Sequence, residues 1–131
     1  MALTMTDVTP LQGELQTQIM AAIWRLDEGT VEQVRQALPS HHQGAYNTVQ
    51  TVLNRLAERG LLTRRRRGQQ IVYTPALAEA EYVSRAIERT LSRATSEARQ
   101  VALAQLIGGL PDDERAELRK LERAVARRRA E

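Results

Sequence analysis

The sequence predicts a mainly α-helical chain: a winged helix-turn-helix of three helices and a β-hairpin over residues 1–75, then a two-helix dimerisation segment over 76–131. Three observations lead there. Apolar residues recur at three- and four-residue spacing along most of the chain, as on one face of a helix. One short β-branched stretch interrupts that pattern after Gly60. Aromatic residues are only 3% of the chain, with no Phe, so a core has to be assembled from Leu, Ile, Val and Ala.

Leu11, Leu15, Ile19, Ile23 and Leu26, with Met20 and Trp24 beside them, predict a first amphipathic helix over 11–26 that Gly29 ends. Thr30 is the residue type that caps a helix N-terminus, and Val31, Val34 and Leu38 line a short second helix with Pro39 just past its end. Ser40 to Gly44 reads as a turn. From Ala45 to Arg59 a third helix directs Val49, Val52, Leu53 and Leu56 inward, and Gly60 suits a left-handed C-terminal cap. Leu61 to Arg66 and Gln70 to Thr74 are then two extended segments around Arg67-Gly68-Gln69, a hairpin closed by Pro75. Three helices and a hairpin in that order place the third helix in the major groove and the hairpin along the DNA backbone.

Beyond Pro75, Leu77, Ala80, Val83, Ile87, Leu91, Ala94, Ala98 and Val101 predict one long helix, broken by Gly108-Gly109. Leu110-Pro111-Asp112-Asp113-Glu114 starts another, with proline and acids in the first turn, lined by Leu118, Leu121 and Val125. Two helices bury too little area to cover both stripes, so a second copy of the chain is the economical partner, through Val83, Ile87, Leu91, Val101, Leu106, Leu118, Leu121 and Val125. The competing arrangement folds this helical hairpin back on its own winged helix.

At 131 residues the chain has room for one domain, or a small core with a helical appendage, which excludes a large multidomain enzyme. It has no Cys, hence no disulfide and no thiolate chemistry, as expected in a reducing compartment. Met1 to Pro10 has neither the basic nor the apolar region of a signal peptide, and no stretch suits insertion in a bilayer. The expected location is the cytoplasm. No nucleophile, phosphate-loop or zinc-protease motif occurs, and Ser84 and Ser92 lie on a helix without a nearby His, so the chain is not expected to be an enzyme or to need a cofactor. His41 and His42 are the only histidines, and with no Cys and no carboxylate at ligand spacing they predict no metal site.

Charge is unevenly spread. The chain carries +3 overall, yet residues 29–75 hold seven arginines against Glu32 and Glu58. On the third helix, the face opposite the apolar one presents Asn47, Thr48, Thr51 and Arg55, with Tyr46 at its start. Asn and Arg can make paired hydrogen bonds to adenine and guanine edges, and Thr can meet a thymine methyl or a phosphate. Arg64, Arg65, Arg66 and Arg67 run into the hairpin tip, where they suit phosphate, although strand alternation must turn some of them away. Arg127-Arg128-Arg129 complements the dipole of the last helix instead.

The same residues carry a resemblance. Gly13, Leu15, Ile19-Met20, Ile23-Trp24 and Thr30-Val31, the stretch from Ala45 to Leu56, Gly60-Leu61 and Val72-Tyr73-Thr74-Pro75 resemble the penicillinase-repressor family of the BlaI, MecI and CopY type through nearly the whole chain. The resemblance implies a homodimeric repressor of inverted-repeat operators on double-stranded DNA, commonly controlling β-lactamase genes and relieved through a membrane sensor-protease. It also implies Asn47, Thr48, Thr51 and Arg55 as operator contacts. This chain lacks the C-terminal cysteines of copper-responsive members. Having no Phe, it also lacks the Asn-Phe bond cleaved in staphylococcal members. Cleavage at Gly108-Gly109 and a small-molecule inducer are then equal candidates for the switch. The rival reading is a helical adaptor whose basic middle segment binds an acidic protein.

Overall fold

The computed structural model describes residues 11–130; Met1 to Pro10, read above as no signal peptide, lies outside the described residues. Helix α1 (Gly13–Leu26) buries Ile19, Met20, Ala22 and Ile23, whose spacing defines one face. It ends at Leu26 as the spacing predicts, but the break comes at Asp27 rather than Gly29: Asp27 takes a φ of 68°, a conformation uncommon outside glycine. Gly29 has a different task. Its N–H donates to the Tyr73 carbonyl at 3.0 Å and its carbonyl accepts from the Tyr73 N–H at 2.9 Å, adding a short third edge to the hairpin.

Helix α2 (Val31–Ala37) begins with a reciprocal cap, in which the Thr30 hydroxyl accepts from the Gln33 N–H and the Gln33 side chain accepts from the Thr30 N–H. A single 3₁₀ turn at Ser40–His42 leads to α3 (Tyr46–Glu58), which buries Val49, Val52, Leu53 and Leu56. Gly60, at φ +83°, reverses the chain there. The Leu61 N–H reaches the Leu56 carbonyl and the Gly60 N–H the Ala57 carbonyl, the paired bonds that satisfy the last carbonyls of a helix ending on glycine.

Strands β1 (Leu62–Arg67) and β2 (Gln70–Pro75) pair antiparallel from Leu62 opposite Pro75 to Arg67 opposite Gln70, and Gly68 supplies the positive φ that the two-residue loop requires. Leu62 and Tyr73 join the side chains of α1 to α3 in one core. The fold is therefore the expected winged helix-turn-helix.

Helix α4 (Glu79–Ser92) begins as part of this unit. Leu77, Tyr82 and Ala86 pack against the core, the Trp24 indole donates to the Leu77 carbonyl at 3.0 Å, and the Trp24 and Tyr82 rings lie 5.6 Å apart. The first compact unit accordingly runs to Arg89 rather than ending at Pro75. The expected long helix is also interrupted. Thr95 caps a new helix, its hydroxyl accepting from the Ala98 N–H, so that α5 (Ser96–Gly108) is separate and the segment after the hairpin holds three helices, not two. The second unit, from Thr90 on, contains the end of α4, α5 and α6 (Asp112–Ala130), with Arg115 donating to the Ile107 and Leu110 carbonyls across the turn. Among the described residues no helix is long and apolar enough to cross a membrane.

Candidate nucleic-acid interface

Because α3 commits Val49, Val52, Leu53 and Leu56 to the core, its period turns Tyr46, Asn47, Thr48, Thr51 and Arg55 outward, and all five are exposed. The Thr51 hydroxyl donates to the Asn47 carbonyl at 2.8 Å, which leaves its oxygen as an acceptor. Among the described residues neither the Asn47 amide nor the Arg55 guanidinium is engaged in a hydrogen bond, so both hold their full complement of donors for a ligand. Tyr46 lines a groove with Thr30, Gln50, Gln69 and Ile71, between α3 and the hairpin tip.

The hairpin sorts its four arginines by strand alternation. Arg65 and Arg67 share one face and both reach Glu28, Arg65 at 3.1 Å and Arg67 at 2.9 Å. The hydrogen bond from Arg67, supported by the two positive charges, holds the Glu28 carboxyl below its usual range. Arg64 takes the other face and donates to Asn54 Oδ1 at 2.7 Å. Arg66 shares that face by alternation and has no hydrogen bond or ion pair among the described residues.

Two residues that shape this surface escaped the sequence reading. Asn54 Oδ1 accepts from both the Arg64 guanidinium and the Tyr73 hydroxyl, so one side chain of α3 fixes both strands of the hairpin. Burial pushes the Tyr73 phenol up, which keeps it a proton donor to that oxygen. Glu28 is the second. It appears in the sequence only as one acid at a helix end, and nothing local marks it as the partner of residues far along the chain.

The positions expected to meet a second copy are open in the single chain. Val83 and Ile87 on α4, Val101 and Leu106 on α5, and Leu118, Leu121 and Val125 on α6 are 43% to 60% exposed, and Leu91 is half-buried. None of α4, α5 and α6 has a fully buried residue.

His41 and His42, expected to have no carboxylate at ligand spacing, have one in the fold. Glu14, in the first turn of α1, sets a carboxylate oxygen 3.2 Å from His42 Nε2. The spacing along the chain could not show this, since the two segments meet only through the packing of α1 beside the turn.

The chain is similar to a known family and to several of its members. The model of the family described as penicillinase repressor matches residues 12–124. The transcriptional regulator BlaI of Mycobacterium tuberculosis is 34% identical over 110 residues, covering 82% of this chain and 80% of the relative. The penicillinase repressor of Bacillus licheniformis is 28% identical over 74 residues, 56% of this chain and 58% of its own. Among solved structures, the monomeric form of Bacillus licheniformis BlaI in complex with the blaP half-operator is 29% identical, with a TM-score of 0.47 over 56% of this chain and 89% of that one.

Proposed function

The chain belongs to the penicillinase repressor family, a family of transcriptional repressors and not of enzymes, and on that premise we propose that it acts in the cytoplasm as a homodimer that occupies an inverted-repeat operator in double-stranded DNA. The observation that carries this reading is the composition of the exposed face of α3: Asn47, Thr48, Thr51 and Arg55 side by side, with no acid before Glu58. An ordinary solvated helix face mixes both signs of charge; a face of amide, hydroxyl and guanidinium groups is chemically matched to base edges. Arg64 and Arg66, on the α3 side of the hairpin, extend the positive surface towards the flanking phosphates. Arg65 and Arg67 add charge from the far face, attenuated by Glu28.

Dimerisation through the exposed apolar positions of α4, α5 and α6 gives two such faces at once, and two half-sites bound together gain effective concentration that one cannot. Repression follows from occupancy of the promoter. Release follows from loss of the dimer, through a sensor-protease cutting at a site such as Gly108-Gly109 or through a small inducer. The test is a mobility shift of promoter fragments from the source genome: inverted-repeat fragments are retarded at nanomolar protein while unrelated fragments need far more, whereas an adaptor for an acidic protein retards neither selectively.

A further inference from the structure

The chain holds two histidines in all, and they are adjacent. The turn that carries them, between α2 and α3, is fixed by its backbone: the His42 N–H donates to the Pro39 carbonyl at 2.8 Å, and the Gly44 N–H to the His42 carbonyl at 2.9 Å. The Gln43 amide also ties it to the Leu38 carbonyl at 2.8 Å. The two imidazole rings lie 4.1 Å apart between centroids. Glu14 comes from α1, and one ligand atom of each of Glu14, His41 and His42 lies within 4.8 Å of the others.

His42 is the informative member. Its side chain is only 18% exposed, and Nε2 is fully buried, beside Glu14 Oε1 at 3.2 Å, yet the geometry makes no hydrogen bond. A buried imidazole nitrogen left without a hydrogen bond is costly. A cation between it and the carboxylate would satisfy both.

We propose that Glu14, His41 and His42 bind a divalent first-row transition metal, Zn²⁺ foremost, which clips the start of α1 to the turn that leads into α3. Two imidazoles and one carboxylate are the donor set that favours zinc and its neighbours over Mg²⁺ or Ca²⁺, which prefer oxygen alone. Zinc bound to nitrogen and oxygen at about 2.0 to 2.2 Å spaces tetrahedral ligands about 3.4 Å apart. Glu14 and His41 are exposed and close the remaining gap by side-chain rotation, with water as the fourth ligand. The clip joins the first helix to the turn that fixes the start of α3, so the ion tunes the placement of Tyr46 and Asn47. Binding of the ion itself requires neither the dimer nor the operator.

The test uses the full chain without a polyhistidine tag, titrated with Zn²⁺ by calorimetry and followed by the ring-proton resonances of its two histidines. The expected result is one ion per chain, movement of both histidine signals, no response to Mg²⁺, and at least tenfold weaker binding in each of Glu14→Gln, His41→Gln and His42→Gln. Far-UV circular dichroism checks that each variant is folded, and Glu14→Gln, an exposed change, keeps the test decisive if a histidine variant is not. Absence of saturable binding, histidine signals that stay in place, or a Glu14→Gln chain that binds as tightly as the parent would overturn the proposal.

Discussion

Asn54 Oδ1 on α3 accepts a hydrogen bond from the Tyr73 hydroxyl of β2 at 2.7 Å, which helps tie the helix to the hairpin. The same oxygen takes the Arg64 guanidinium at 2.7 Å, so the hairpin is held against α3 through both strands. Removing the acceptor leaves a buried hydroxyl without a partner, whereas removing the hydroxyl leaves Asn54 still paired with Arg64. Asn54→Ala is therefore expected to cost about 1 to 3 kcal/mol of stability and Tyr73→Phe about 0.5 to 1.5 kcal/mol. Urea denaturation of the two variants checks the order; an equal or reversed cost contradicts it.

Under the proposed function, the exposed face of α3 meets bases and the hairpin meets phosphates, so substitutions in the two should differ in effect. Arg55→Ala and Asn47→Ala are each expected to cost about 1 to 3 kcal/mol at the operator and to relax the preferred base at one position. Arg66→Ala should instead weaken binding to all sequences alike and reduce the slope of log affinity against log salt by about one unit. Competition assays over a range of salt concentrations separate the two patterns.

Glu28 pairs with Arg65 and Arg67, and under the proposed function it competes with phosphate for them. Its carboxyl is held below the ordinary value of 4.5, so the ion pairs are intact at neutral pH and are lost as the pH falls through the depressed value, when Glu28 takes up a proton. Guanidinium NMR signals of Arg65 and Arg67 should shift together on acidification, and should not do so in Glu28→Gln. At neutral pH that variant should bind DNA more tightly at every sequence, with a salt slope steeper by about one to two units.

Leu118 and Leu121 are exposed in the single chain, so charge there costs a monomer little, about 0.5 kcal/mol or less, but cannot be accommodated between two copies. Leu118→Glu with Leu121→Glu should give a folded monomer by sedimentation and lower the affinity for a two-half-site operator by about a hundredfold through lost effective concentration. A variant that remains dimeric places the interface elsewhere.

Much of this was legible in the sequence because it is local. The face of α3, the capping residue Thr30 and the reversal at Gly60 follow from spacing and residue type within one element. The features that were missed depend on chain segments meeting in space. Asn54 looks like one more polar residue until β2 brings Tyr73 to it, and Glu14 gains meaning only beside His42. Gly29 resembles a helix stop, but the tertiary pairing with Tyr73 sets its role. The break at Thr95 was hidden for another reason: the apolar spacing continues from Leu91 through Ala98, and a cap can reset a helix without disturbing that period.

Selection of bound DNA from a random duplex library tests the central claim most directly. The parent chain is expected to enrich one inverted repeat whose half-site centres lie a whole number of helical turns apart, and the Arg55→Ala chain to enrich a site degenerate at the same position in both halves. Enrichment of no common sequence, or of the same sequence by both chains, would contradict the assignment of α3 as the element that reads the operator.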